Sequence, residues 1–158
     1  MKEFQITTRI EELSFEELSP DYALLVEKAR QATFRSYAPY SHFSVGAAIL
    51  LDNGEVVTGC NQENAAYPSG TCAERTACFY AHATYPDSGM QAIAIAARGV
   101  DGSFLAEPIS PCGGCRQALI EYENLASHPL KVVLVGAAKV YIIPSVKALL
   151  PLAFTEIE

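Results

Sequence analysis

Two helix starts in this chain carry cysteines, and bringing them together constrains the fold more than any other sequence feature. The first is GTCAERTA, with Cys72 two residues before Glu74, and the second is SPCGGC, with Cys112 and Cys115 after a proline. The i, i+3 spacing puts the Cys112 and Cys115 side chains on one helix face, about 5–6 Å apart at Cβ. Because side chains lean toward the amino end of a helix, all three sulfurs converge if the two helix starts are neighbours.

Three cysteines in this arrangement suit a zinc ion. Two thiolates that each lie about 2.3 Å from one zinc need such a separation of their side chains. A helix amino terminus also lowers the pKa of a thiol, which favours the thiolate that binds metal. Three protein ligands leave one tetrahedral position open, as in catalytic zinc sites. The sequence therefore predicts one zinc ion per chain, bound by Cys72, Cys112 and Cys115.

Glu74 has two interpretations that the residues alone leave open. In one, Thr71 is the helix N-cap and Glu74 completes a capping box at position N3. In the other, Glu74 is a proton shuttle, since a carboxylate beside a catalytic zinc moves protons. Cys72 and Glu74 are two residues apart and point away from each other around a helix. Both side chains can reach one metal site only if that site lies beyond the end of the helix, where a metal bridging two helix starts would lie.

Two arginines lie next to predicted zinc ligands. Three thiolates give a zinc site a net negative formal charge, which weakens the ion as a Lewis acid. The two helix amino termini contribute about +0.5 each. We predict that Arg75 and Arg116 also support the thiolates by donating to sulfur. The alternative for each is an ordinary surface salt bridge, which contributes little stability.

The chain as a whole alternates between strand and helix patterns. The predicted helices span residues 19–35, 72–82, 110–122 and 145–150, and the predicted strands span residues 43–51, 56–60, 92–97, 132–135 and 140–143. An Asp-Asn-Gly turn at 52–54 predicts one hairpin. This order predicts an α/β layered domain, residues 19–158, with one hairpin feeding an otherwise crossover-linked sheet. Residues 1–18 are predicted to be an amino-terminal appendage.

Composition excludes several function classes. The net charge of −7 makes DNA or RNA a poor partner, because a phosphate backbone is bound mainly by Lys and Arg. Only 18% of residues are charged, against a typical ~25%, which favours self-association. The apolar run 45–51 is too short to cross a membrane, and the first residues lack the apolar region of a signal peptide. Five cysteines, an odd number, argue against a disulfide framework, so we expect reduced thiols in the cytoplasm.

Longer stretches of the chain resemble one enzyme family. They are PYSHFSVGAAIL, GCNQENAAYPSGTCAER, SPCGGCRQAL and LLPLAF. Together with the CAE and PCGGC motifs of zinc deaminases, they are similar to the small homotetrameric cytidine deaminases over roughly residues 20–154. The resemblance implies a three-layer α/β/α sandwich with a mixed five-stranded sheet. It also implies zinc, and the hydrolysis of cytidine or 2′-deoxycytidine to the uridine, with release of ammonia, as in pyrimidine salvage.

The same resemblance assigns roles to residues of the substrate site. Asn61 and Glu63 would bind the ribose, Phe43 would pack on the base, and the Ala73 backbone N–H would meet the base carbonyl. Tyr67 and Phe154 would reach into the active site of a neighbouring subunit. From the residues alone, Phe43 is expected in the core and Phe154 in the core of its own subunit, whereas Asn61 and Glu63 suit a turn equally well.

The chain also departs from the family pattern and leaves alternatives open. Ser44 stands in place of a usual Pro, Ala66 in place of a frequent Cys, and the insert 101–108 is longer than usual. Cys60 and Cys78 are predicted to be small buried hydrophobic residues, and the histidines have no ligand spacing. The alternatives are a deaminase acting on another aminated base or nucleoside, such as blasticidin, a non-enzymatic zinc-stabilised module closed by Cys60, and a thiol redox protein using the CxxC pair.

Overall fold

One mixed sheet flanked by helices forms the fold, in a computed structural model that describes residues 1–156. The helices are α1 (Pro20–Ala32), α2 (Ala73–Thr84) and α3 (Gly113–Ala126); the strands are β1 (Glu11–Ser14), β2 (Ser44–Leu51), β3 (Val56–Cys60), β4 (Met90–Arg98), β5 (Lys131–Val135) and β6 (Lys139–Ile143). Short 3₁₀ turns include Thr33–Arg35 and Val146–Leu149. Among the described residues, no helix is both long enough and apolar enough to span a bilayer.

Alternation along the central strands produces two buried layers. On β4, Ile93 and Ile95 face the cluster that contains α2 and α3 residues, whereas Ala92, Ala94 and Ala96 face the cluster that contains α1 residues. The period of two follows from the pleat, which sends successive side chains to opposite faces. Helices therefore cover both faces of the sheet, and the predicted α/β/α sandwich is confirmed.

The sheet has six strands in the order β1-β6-β5-β4-β2-β3, one more than predicted. The extra strand, β1, pairs with β6 and comes from the predicted appendage. Leu13 of β1 packs against the α1-side core, so the strand gains apolar burial although its Glu11 and Glu12 have low strand propensity. The crossover prediction was also wrong in part, because β5 and β6 form a second antiparallel hairpin.

Strand direction explains why two distant helix starts meet. Both β3 and β4 run antiparallel to β2, so their carboxyl ends lie at the same end of the sheet. Helix α2 follows β3 along the chain and α3 follows β4, so both helices can begin at that end. At Gly59, an added Cβ would lie 2.5 Å from the Ala77 backbone nitrogen. The glycine thus allows α2 to approach β3 closely.

Candidate metal centre and active site

The three predicted metal ligands come together at the starts of α2 and α3. Cys72 and Cys112 are the N-cap residues of their helices, and Cys115 lies in the first turn of α3. The Cys72 and Cys112 Sγ atoms lie 3.9 Å apart, and all three sulfurs lie within 4.8 Å of one another. Two sulfurs at ~2.3 Å from one tetrahedral zinc lie roughly 3.8 Å apart. The donor set and its spacing therefore fit zinc.

The pKa values of the Cys72 and Cys115 thiols are shifted in opposite directions. Hydrogen bonding from Cys115, together with the Arg75 guanidinium, lowers the pKa of Cys72 to about 5. The same hydrogen bond to Cys72, together with burial, raises the pKa of the Cys115 thiol. The Cys72 sulfur is thus the one whose thiolate form its neighbours favour. A metal cation would favour the loss of the remaining protons, because metal ligands must be deprotonated.

Glu74 is a buried carboxyl group beside the sulfurs. It is 4% exposed, and burial is the main cause that raises its pKa, with the nearby Cys72 charge adding to the shift. The capping-box alternative is wrong, because Cys72 rather than Thr71 is the N-cap and Glu74 is the second helical residue. Thr71 instead pairs with Gln62 in an extended bridge. A carboxyl with a raised pKa exchanges protons more readily near neutral pH.

The two arginines differ in what they contact. Arg75 Nη2 donates to the Cys72 sulfur at 3.4 Å, as expected of a residue that supports a thiolate. Arg116 donates instead to two backbone carbonyls, from Nε to Pro111 at 2.8 Å and from Nη1 to Leu149 at 2.6 Å. Within residues 1–156, Arg116 makes no hydrogen bond to sulfur, contrary to the prediction. It links the loop before α3, at Pro111, to the carboxyl-terminal segment, residues 149–156.

Asn61 is largely occupied by the protein itself. Its Oδ1 accepts from the Val45 N–H at 2.8 Å and from the Ser36 hydroxyl at 2.5 Å. Its Nδ2 donates to the Phe43 carbonyl at 2.9 Å. An amide nitrogen has two N–H donors. The side chain therefore fixes the start of β2 and keeps one donor for a further partner.

Glu63 is held by Tyr40 and Ser41, which were not predicted to be site residues. Its Oε2 accepts from the backbone N–H groups of Tyr40 and Ser41, at 2.9 and 3.2 Å, and its Oε1 accepts from the Ser41 hydroxyl. The Ser41 hydroxyl is the main cause that lowers the pKa of Glu63. Ser41 was missed because the contact spans 22 residues along the chain. The turn-forming Ala-Pro-Tyr-Ser stretch was its only local signal.

A cavity of about 460 Å³ opens beside Cys72 and is lined by Glu63, Arg75, Tyr67 and their neighbours. Tyr67 is exposed, and its ring meets Tyr40 edge-on, with ring centroids 6.2 Å apart. Ala73 is the first residue of α2, where backbone N–H groups lack an intrahelical acceptor. The cavity therefore places exposed aromatic rings and a carboxylate beside one cysteine of the cluster.

Two further predicted residues, Phe43 and Phe154, lie outside the lining of this cavity. Phe43 precedes β2 and is half-buried, and its N–H donates to the Ser41 hydroxyl at 3.1 Å. Phe154 is 68% exposed, so in the single chain it does not fill the core of its own subunit. Its ring is thus free to contact another molecule.

The remaining cysteines lie outside the cluster. Cys78 is fully buried, as predicted, and burial raises its pKa to about 12. Cys60 is half-buried rather than buried, and its sulfur contacts the Arg35 carbonyl and the Gln62 amide. In residues 1–156, the group of side chains that could hold a metal ion comprises Cys72, Cys112 and Cys115, so the Cys60-closed module gains no support.

Known proteins share this sequence pattern and fold. The family model for the cytidine and deoxycytidylate deaminase zinc-binding region matches residues 20–127. A cytidine deaminase from Mycobacterium tuberculosis is 43% identical over 114 residues, covering 70% of this chain and 80% of that protein. A cytidine deaminase from Sporosarcina psychrophila is 42% identical over 104 residues, covering 66% and 71%. The crystal structure of cytidine deaminase from Burkholderia pseudomallei matches with a TM-score of 0.69 and 41% identity, covering 83% of this chain and 97% of that one.

Proposed function

Because this chain belongs to the cytidine and deoxycytidylate deaminase family, we propose that it deaminates cytidine and 2′-deoxycytidine hydrolytically, releasing ammonia. The observation that carries the proposal is the buried carboxyl of Glu74 beside three convergent cysteine sulfurs. The products are uridine and 2′-deoxyuridine, which places the reaction in pyrimidine salvage. We assign the activity to residues 19–158, of which 157 and 158 lie outside the described part.

Zinc is the cofactor that the cysteine cluster fits, and Cys72, Cys112 and Cys115 would hold one ion per subunit. When bound, zinc supplies a Lewis acid that lowers the pKa of water toward neutrality. Arg75 offsets part of the negative charge of the thiolates, because its guanidinium donates to the Cys72 sulfur. Reduced thiols of this kind persist in the cytoplasm, where we place the enzyme.

Glu74 moves the protons of the reaction. Its carboxylate accepts a proton from the attacking water and passes it to N3 of cytosine, while the water oxygen bonds to C4. It then accepts the remaining water proton and delivers it to the amino group. The C4–N bond breaks, ammonia leaves, and the water oxygen becomes the C4 carbonyl oxygen of uridine. Both water protons are thus accounted for by one carboxyl group.

Residues of α2, of the stretch before β2 and of the loop after β3 would orient the nucleoside. The Ala73 N–H at the start of α2 would donate to the base carbonyl, and Phe43 would pack on the ring. The free Nδ2 donor of Asn61 and the Glu63 carboxylate would meet the ribose hydroxyls. The Ser41 turn holds both carboxylate oxygens of Glu63, so this acceptor is oriented before the sugar arrives.

The assay that tests this proposal follows ammonia and uridine formation from cytidine by the purified protein. We expect one ammonia for each uridine, loss of turnover when a chelator removes the metal, and recovery when zinc is restored. A panel of aminated nucleosides and blasticidin would show which base is preferred. Turnover of blasticidin without turnover of cytidine would overturn the proposed substrate, and metal retention without any turnover would overturn the enzyme assignment.

Removal of the 3′-hydroxyl should impair the substrate strongly. A site built to hydrogen-bond a substrate hydroxyl discriminates strongly against an analogue that lacks it, because the hydrogen bonds to that hydroxyl are lost. We therefore expect 3′-deoxycytidine and free cytosine to have a much lower kcat/KM than cytidine, whereas 2′-deoxycytidine stays a good substrate. Glu63→Gln should narrow the difference between cytidine and 3′-deoxycytidine. Equal turnover of cytosine and cytidine would contradict sugar recognition by this loop.

We also propose a homotetramer in which each active site takes Phe154 and Tyr67 from a neighbour. Both rings are exposed in the single chain, where they leave apolar surface uncovered. Packing them against an identical subunit removes this exposure, and closed symmetry repeats the contact. An aromatic ring from the neighbour would stack on the pyrimidine and exclude water from the metal.

Mixed oligomers test this sharing directly. A Glu74→Gln subunit keeps Phe154 but cannot move protons, and a Phe154→Ala subunit keeps Glu74 but lacks the ring. Each variant alone should be weak. In co-folded oligomers, some sites combine an intact Glu74 with a neighbour's intact Phe154, so activity should partly recover. If verified mixed oligomers show no recovery, Phe154 does not act across the subunit boundary.

A further inference from the structure

The carboxyl-terminal segment is fastened to the same helix turn that carries a predicted zinc ligand. Two residues directly after Cys115 reach across to it. Arg116 donates to the Leu149 carbonyl at 2.6 Å while its Nε holds the Pro111 carbonyl, one residue before Cys112. The next residue, Gln117, contacts the segment at Phe154. Two adjacent residues of α3 therefore hold both the loop that precedes the helix and the segment that carries Phe154.

Gln117 makes a two-point contact with the backbone of Phe154. Its Nε2 donates to the Phe154 carbonyl at 2.6 Å, and its Oε1 accepts from the Phe154 N–H at 3.3 Å. A primary amide is suited to this pairing because it carries both a donor and an acceptor. The contact fixes the backbone of Phe154, while the ring stays exposed in the single chain.

The backbone leading to Phe154 needs such an anchor. Leu152 has a φ of 59°, in the left-handed region that is unfavourable for a residue with a Cβ. Leu152 is also 86% exposed, so burial of its side chain does not offset this cost. Two residues beyond Leu152, the pair of hydrogen bonds from Gln117 holds the backbone of Phe154.

We propose that Gln117 is a positioning residue that sets the direction in which Phe154 projects, and so seats its ring in the neighbouring active site. The inference rests on the proposed function, in which that ring covers the pyrimidine. Gln117 does not touch the substrate and acts only through the Phe154 backbone. Because Gln117 follows Cys115 by two residues, the ring's orientation is tied to the helix that also carries a metal ligand.

The test compares Gln117→Ala and Gln117→Glu in the parent protein and in a Phe154→Ala background. Glutamate is nearly isosteric, but as a carboxylate it cannot donate to the Phe154 carbonyl. Gln31→Ala is the matched control, since Gln31 is an exposed helical glutamine on α1 whose amide contacts only Glu27 among the described residues. Zinc content, oligomeric state and melting temperature are measured for every variant alongside kcat and KM for cytidine.

Both Gln117 variants should lose about tenfold in kcat/KM, because two hydrogen bonds of modest individual strength are weakened or lost. In the Phe154→Ala background, Gln117→Ala should change kcat/KM by less than about twofold, because residues acting through one contact are not additive. Zinc content, assembly and the activity of Gln31→Ala should match the parent.

Three results would overturn the inference. They are parent-like kinetics for Gln117→Ala, an equal loss in both backgrounds, and a loss of zinc or assembly in both Gln117 variants. Failure of the proposed function would look different, because the parent protein itself would then release no ammonia from cytidine.

Discussion

Replacing Glu74 with Gln is expected to abolish nearly all turnover while zinc content, fold and assembly stay as in the parent. The amide fills the same buried space but cannot accept a proton from water. General acid–base catalysis by one group typically contributes about 10²–10⁴-fold, and a group used at several steps contributes more. The loss should therefore lie in kcat, measured at saturating cytidine, with a smaller change in KM.

Glu123→Gln is the matched control, because Glu123 is equally buried at 4% exposure but lies outside the site. Its carboxylate accepts from the N–H groups of Leu130 and Val146 and from the Ser145 hydroxyl. Its replacement should lower the free energy of unfolding by about 1–3 kcal/mol, as expected for hydrogen bonds to a charged group. The kcat per folded subunit should stay close to the parent value.

The Glu74 experiment also has an outcome that would refute the shuttle. If Glu74 only stabilised the start of α2, its replacement would cost about 1 kcal/mol of stability and leave activity intact. A Glu74→Gln protein with turnover within about tenfold of the parent would therefore contradict general acid–base catalysis by this residue.

Cys112→Ser should release most of the zinc and most of the activity. A serine hydroxyl stays protonated near neutral pH, so the cluster would keep only the Cys72 and Cys115 thiolates. Changing even an outer partner of a metal ligand typically costs about 10–100-fold in affinity, and losing a ligand should cost at least that much. Metal content after dialysis and kcat with added zinc would measure the two effects separately.

Cys60→Ser is the control for loss of a thiol elsewhere. Its sulfur contacts the Arg35 carbonyl and the Gln62 amide rather than the cluster. We expect its zinc content and turnover to match the parent. If Cys60→Ser released zinc, the site would be closed by a fourth protein ligand and structural, which contradicts a catalytic centre with an open position.

The convergence of the three cysteines could be predicted because each helix start has a local signal. Pro111 and the i, i+3 spacing of Cys112 and Cys115 indicate a helix start. The stretch GTCAERTA around Cys72 indicates a second one. The strand-helix alternation then brings both starts to one end of the sheet, because β3 and β4 point the same way. The helix starts themselves are specified by residues only a few positions apart.

Other features depend on partners far along the chain, and the sequence alone did not predict them. Strand β1 forms because β6, more than a hundred residues later, offers an edge to pair with. Arg116 was expected to donate to a sulfur, but its Nη1 donates to the Leu149 carbonyl, 33 residues away along the chain. A long, flexible side chain reaches several acceptors, and only tertiary packing decides which one it contacts.

Hydrolytic deamination itself is tested most directly by the mass of the product formed in water labelled with a heavy oxygen isotope. The chain's proposed chemistry transfers the water oxygen to C4 as the amino group leaves. Uridine produced by the zinc-loaded protein should therefore carry one labelled oxygen, at C4, with one ammonia released for each uridine. Uridine without the label, or label uptake without ammonia release, would contradict the mechanism.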